Sequence, residues 1–105
     1  MPNSTQWQID FSDTEIKTEY DTYFEKYPKQ HHVKLSFERD VTENPFFHPT
    51  PRRIVPLKGE LKGKFRYGKS KTRITYEIDK PSHTVYPLET AKITETSYKK
   101  RSKKK

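Results

Sequence analysis

The chain has 105 residues, 29% hydrophobic, 34% charged and 13% aromatic, a composition that fits one small domain whose core depends on its rings. It has no cysteine, which excludes disulfides, thiolate metal sites and cysteine nucleophiles and suits a reducing compartment. The formal charge of +8 is divided unevenly: residues 1–51 carry 5 Lys+Arg against 9 Asp+Glu, net −4, and residues 52–105 carry 17 against 5, net +12, which points to a directional cationic surface.

The opening MPNSTQWQID has neither a basic region nor an apolar core, so no secretory leader is expected. No apolar run approaches the roughly 18 residues of a membrane span. A cytoplasmic protein with no membrane partner is the expectation. Residues 7–11 alternate and predict a first strand. Ser12 is the expected N-cap of a helix, with Glu15 completing a capping box. Ile16, Tyr20, Tyr23, Phe24 and Tyr27 then make one helical stripe, stopped by Pro28. A second helix is predicted over 30–42, with Val33, Phe37 and Val41 on one face and Asn44-Pro45 at its end. Residues 44–60 are rich in proline and read as a connecting loop, anchored by Phe46, Phe47, Ile54, Val55 and Leu57.

The stretch 61–67 predicts a strand with two unlike faces. Leu61, Phe65 and Tyr67 point one way; Lys62, Lys64 and Arg66 point the other. A strand over 72–78 places Ile74, Tyr76 and Ile78 on one face and Arg73, Thr75 and Glu77 on the other. Joined through Gly68-Lys69-Ser70-Lys71, the pair forms a hairpin with an apolar underside and a cationic upper side. Concentrated cations on a rigid sheet suit a polyanion, a phosphodiester first of all. A last strand is predicted over 83–91, with a bulge or an edge at Pro87, which has no N–H for a ladder. Six of the last seven residues are basic, a run expected to be a disordered tail. The fold class is therefore α+β: an N-terminal strand, a helical hairpin, then a three-stranded antiparallel sheet. The division is a domain over 1–98 and a basic tail over 99–105.

Four local words in this order resemble the RelE/ParE toxin superfamily: Asn44-Pro45-Phe46, then LKGEL over 57–61, Lys64-Phe65-Arg66, and Arg73-Ile74-Thr75-Tyr76. The resemblance covers roughly residues 5–98. It implies a RelE-like, microbial-ribonuclease-like fold and the toxin role of a type II toxin–antitoxin system. In the RNA-cleaving branch it implies a ribosome-dependent mRNA endoribonuclease acting in the A site, beside 16S rRNA. Its phosphate-contacting cations fall on Lys64, Arg66 and Arg73. An arginine after the last strand is replaced by Ile93, and Lys92 is the nearest cation to take its role. A C-terminal tyrosine falls on Tyr98, one residue out of register. Lys58, Lys62, Lys69 and Lys71 are the further RNA contacts.

The chemistry agrees with that assignment. Cleavage through the RNA's own 2′-hydroxyl needs a proton acceptor, stabilisation of the phosphorane and a proton for the leaving oxygen. Clustered Lys and Arg supply the second, and Lys64 is the candidate acceptor. No cofactor or metal is expected, since His31 and His32 point to different faces of a helix and His48 and His83 are isolated. The implied partners are an acidic antitoxin, with a heterotetramer among the possible assemblies, and mRNA on the ribosome. Two alternatives stay open: a ParE-like DNA gyrase inhibitor, and a non-catalytic RNA-binding module.

Overall fold

The computed structural model describes residues 6–96; Tyr98 and the basic run 99–105 lie outside the described residues. The elements are β1 (Gln8–Ile9), α1 (Thr14–Lys26), a 3₁₀ turn (Pro28–Gln30), α2 (His31–Glu43), β2 (Ile54–Pro56), a second 3₁₀ turn (Gly59–Leu61), β3 (Lys64–Lys69), β4 (Thr72–Asp79) and β5 (Thr84–Lys92). The α+β class holds, with a larger sheet than expected. Five strands run in the order β1-β5-β4-β3-β2. β1 is parallel to β5, and the other neighbours are antiparallel.

Local chemistry accounts for most of the elements. The N-cap of α1 is Asp13 instead of Ser12. Its carboxylate accepts from the backbone N–H groups of Glu15 and Ile16 at 3.0 and 3.2 Å, so the charged side chain one residue on takes the role. The buried stripe of α1 is Ile16, Tyr20, Tyr23 and Phe24, as its spacing predicts. The loop 44–60 contains one strand that sequence patterning missed. β2 has only three residues, too few to show alternation, and it pairs with β3 at the sheet edge. Pro56 is tolerated there because an edge strand has one unpaired side.

β3 begins later than predicted. Gly63 sits at φ 96, a region that L side chains rarely adopt, and the 3₁₀ turn before it holds Leu61. Leu61 and Lys62 therefore lie outside the strand. The hairpin turn is also tighter: Gly68 and Lys69 are paired with Arg73 and Thr72, leaving Ser70, at φ 55, and Lys71 to reverse the chain.

The helices cover one face of the sheet, the inner face. Tyr20, Tyr23, Phe24, Val33, Phe37 and Val41 pack against Tyr67, Ile74, Tyr76, Ile78 and Val85. Phe37 meets Tyr67 and Tyr76 edge-on, with ring centroids 5.3 and 5.9 Å away. β1 closes against the far edge. Trp7 donates to the Thr42 carbonyl and stacks on His83 at 4.3 Å, which gives that histidine a packing role.

A buried carboxylate locks the loop after α2 into this core. Asp40, only 5% exposed, accepts from the Tyr67 hydroxyl at 2.6 Å and from Arg39 Nε at 3.1 Å. His48 Nε2 lies 3.3 Å from its Oδ2. The Thr50 N–H points at His48 Nδ1, so the proton of the neutral ring sits on Nε2, toward Asp40. The exposed Arg39 adds little. Asp40→Ala strands the Tyr67 hydroxyl and should cost about 2–3 kcal/mol, seen as a fall in Tm of roughly 10–20 °C; a fall of only a degree or two would show that the network is not structural.

Alkaline titration reads the same core. Burial raises Tyr20, and the Glu38 carboxylate adds to it. Burial and then the hydrogen bond to Asp40 raise Tyr67; burial and then the neighbouring Tyr67 raise Tyr76. An unfolded tyrosine ionises near 10.0, while these three stay protonated well above it. Above that pH the unfolded chain binds fewer protons than the folded one, so stability is complete below about pH 10 and falls as pH rises. Three such groups lose together up to about 4 kcal/mol per pH unit. A domain of ordinary stability should therefore unfold within about two units above pH 10, with circular dichroism and phenolate absorbance changing in one transition. Phenolate absorbance that rises while the fold persists would contradict this.

Candidate functional site

The outer face of the sheet is built in cross-strand rows. Lys64 on β3 pairs with Glu77 on β4, which pairs with Tyr86 on β5. Arg66 pairs with Thr75, which pairs with Glu89; Val55 of β2 flanks Arg66. Gly68 pairs with Arg73, which pairs with Ala91. Lys64, Arg66 and Arg73 therefore share one face, as the alternation predicts. The face is mixed in charge. Glu77 and Glu89 are 5% and 4% exposed, and each sits in a row with a cation.

Glu89 was missed for a reason that the sequence carries. β5 has an irregularity at Pro87: Thr75 pairs with Glu89 but Tyr76 pairs with Pro87, leaving Leu88 unopposed. This is the expected bulge. β1 pairs only with Thr84 and Val85, so Pro87 needs no N–H on that side. One extra residue flips every later side chain. Glu89 and Ala91 move to the outer face, and Thr90 and Lys92 to the inner one.

The bulge thereby sets the side of the sheet on which Lys92 falls. It pairs with Thr72, whose hydroxyl meets the Tyr23 hydroxyl at 2.8 Å, and its Nζ lies 4.6 Å from the Tyr27 ring. Lys92 is thus turned toward the helices, on the side of the sheet opposite Arg73. Lys69 is also on the inner side, where its ammonium donates to Ser36 Oγ at 2.6 Å. Lys58 and Lys62 are exposed beside the second 3₁₀ turn, and Lys71 is exposed at the hairpin turn.

Two polar atoms at the centre of the face have no partner. Arg66 Nε and Thr75 Oγ1 are buried without a hydrogen bond, and Thr75 as a whole is 1% exposed. A buried polar group left unmatched costs about 1–3 kcal/mol, so the centre of this face carries a stability cost. Arg73 is held beside them. Its Nη1 donates to the carbonyls of Ser70 and Thr72 at 3.0 and 2.8 Å, and its side chain lies across Gly68. A Cβ on Gly68 would stand 2.9 Å from Arg73 Nε, so glycine is what admits the arginine.

Among the described residues no group of three or more His, Cys, Asp or Glu is placed to hold a metal ion, and no helix is long and apolar enough to cross a membrane.

The architecture recurs in solved structures. One chain of the toxin–antitoxin complex RelBE2 from Mycobacterium tuberculosis superposes at a TM-score of 0.61 and 23% identity, over 83% of this chain and 98% of that one. The conserved hypothetical protein HP0892 from Helicobacter pylori superposes at 0.58 and 20% identity, over 85% and 97%. The sequence matches no family model and no curated protein. The fold implied by the RelE/ParE resemblance is the fold found, and at these identities the likeness is one of fold.

Gly68→Ala should expel the Arg73 guanidinium from its two carbonyls at a stability cost of about 1 kcal/mol, since a flexible side chain gives way more easily than backbone. A crystal structure of the variant checks this; an unmoved Arg73 would show that the sheet yields instead.

Proposed function

We propose that this chain is the toxin of a toxin–antitoxin pair and acts as an endoribonuclease on mRNA in the ribosome. One observation carries the reading: Lys64, Arg66 and Arg73 share the outer face of the sheet, where their cations would meet a phosphate together. The shared fold with a chain of a toxin–antitoxin complex supports the biological role.

In this reading Arg73 and Arg66 hold the non-bridging oxygens and stabilise the charge that grows at the phosphorane. A guanidinium does this well because it offers several N–H groups in a fixed plane and keeps its charge. Two groups on the face are able to take the 2′-hydroxyl proton: Lys64, once it has lost its own, and the Glu89 carboxylate in the row of Arg66. Glu89→Gln distinguishes them: a loss of cleavage with RNA affinity no weaker than that of the parent assigns the acceptor to Glu89, and unchanged cleavage leaves the role to Lys64. The partner is an acidic antitoxin, disordered in part when free, that folds over the domain. The exposed Leu35, Phe47 and Ile93 offer it apolar anchors.

The deciding experiment is cleavage of mRNA on programmed ribosomes. Arg73→Ala should retain the fold and lose about 10²–10³ in rate, with Arg66→Ala next and Lys64→Ala after it. Lys92→Ala should lose far less, because its side chain faces the helices. An Arg73→Ala protein that folds and still cuts and arrests growth would refute the site. One finding favours a second reading: with Lys92 turned away, β3–β5 place only Lys64, Arg66 and Arg73 as cations on this face among the described residues, as suits a gyrase inhibitor that cuts no RNA. Inhibition of gyrase supercoiling by the purified chain, with intact transcripts, selects it. RNA binding on the ribosome without cleavage selects a binding module.

A further inference from the structure

A second basic site lies on the inner side of the same hairpin turn. Where α1 gives way to the first 3₁₀ turn, a cavity of about 340 Å³ opens beside the end of β5. Lys26, Lys29, Lys71, Lys92, Tyr27 and Gln30 line it. Its size is at the lower end of small-ligand sites, roughly 300–1,000 Å³. We propose that this cavity binds the phosphate of a nucleotide, either free or as part of a single strand.

The charge pattern is the first argument. Four lysines surround one concavity, and no Asp or Glu lines it. Elsewhere on the helices lysines meet acids one turn on: Lys17 pairs with Asp21 and Lys34 with Glu38. Among the described residues the four cavity lysines form no ion pair. Glu95 acts on the cavity through its charge on Tyr23. Four like charges around a hollow repel one another, and a dianion relieves that repulsion better than one carboxylate does.

The second argument is preorganisation. The ammonium groups of Lys92 and Lys26 lie 4.6 and 5.5 Å from the Tyr27 ring centroid. A cation–π contact holds such a group without consuming its N–H donors. The floor is already satisfied internally. Thr72 Oγ1 donates to Gln30 Oε1 at 2.8 Å, the Lys71 N–H does so at 3.3 Å, and Gln30 Nε2 donates to Ser70 Oγ at 3.2 Å. Gln30 therefore latches the inter-helix turn to the hairpin turn. The Ile93 N–H donates to the Lys71 carbonyl at 2.8 Å, which keeps Lys71 beside Lys92. The tyrosine rings supply an apolar wall for a nucleoside.

The place in the fold suits a strand. The Ser70–Lys71 turn separates the two basic sites: Ser70 accepts from Arg73 on one side, and Lys71 lines the cavity on the other. A chain of nucleotides lying over this turn would reach both. Binding in the cavity does not require that the protein cut RNA.

Amide NMR titrations of the full chain test the site, with adenosine 5′-monophosphate, adenosine and hexauridylate as probes. The monophosphate and the oligonucleotide should move the amides of Gln30, Lys71 and Ile93, and added salt should reverse the shifts; adenosine should leave them in place. Tighter binding of hexauridylate marks a strand site, and equal or tighter binding of the monophosphate marks a nucleotide site. Lys71→Ser with Lys92→Ser should weaken either by about tenfold or more through the lost phosphate contacts. Lys26→Ser with Lys29→Ser, both exposed, gives the same reading should the first pair misfold. No shift with either phosphate probe overturns the proposal. So does an equal shift with adenosine, or a glutamate-rich peptide that saturates these amides below the concentration needed for hexauridylate, which would assign the cavity to an acidic protein.

Discussion

Phe37 of α2 sits against Tyr67 and Tyr76, and this contact decides which way the central hairpin faces. With the two tyrosines committed to the core, strict alternation sends Lys64, Arg66, Arg73 and Thr75 to the other side of the sheet. The tyrosines also carry hydroxyls that must be matched inside, and they are: Tyr67 by Asp40 and Tyr76 by the Pro45 carbonyl. Both partners lie at or just beyond the end of α2. The same two rings therefore orient the charged face and pin the loop that leads into β2.

The Pro87 bulge is the second constraint, and it divides the basic residues between two places. Proline cannot donate to the ladder, and one unopposed residue in β5 accommodates it. Past that point inner and outer exchange. Glu89 joins Arg66 and Thr75 on the outer face, and Lys92 joins Tyr27 and Tyr23 on the inner side. A regular strand would have concentrated the cations on one face. The bulged one supplies a carboxylate to that face and a lysine to a separate cavity.

The β3–β4 turn connects the two. Two residues make the reversal, Gly68 leaves space for the Arg73 side chain, and Gln30 ties the turn to the helices. Rigid backbone on both sides of a cationic edge means that little ordering remains to be done when an anion arrives.

Much of this was legible in the sequence, because it depends on local periodicity. The stripe on α1, the face of α2, the opposed faces of β3 and β4, and the irregularity at Pro87 all follow from spacing and from the chemistry of single residues. Lys64, Arg66 and Arg73 were found together for that reason. Other features depend on contacts that spacing does not encode. β2 is a strand only because β3 offers it an edge. Lys69 turns to Ser36 across 33 positions, and Asp40 gathers Tyr67 and His48 from separate segments. The side on which Lys92 falls depends on how one strand absorbs an extra residue, and that was decided when β5 settled against β4.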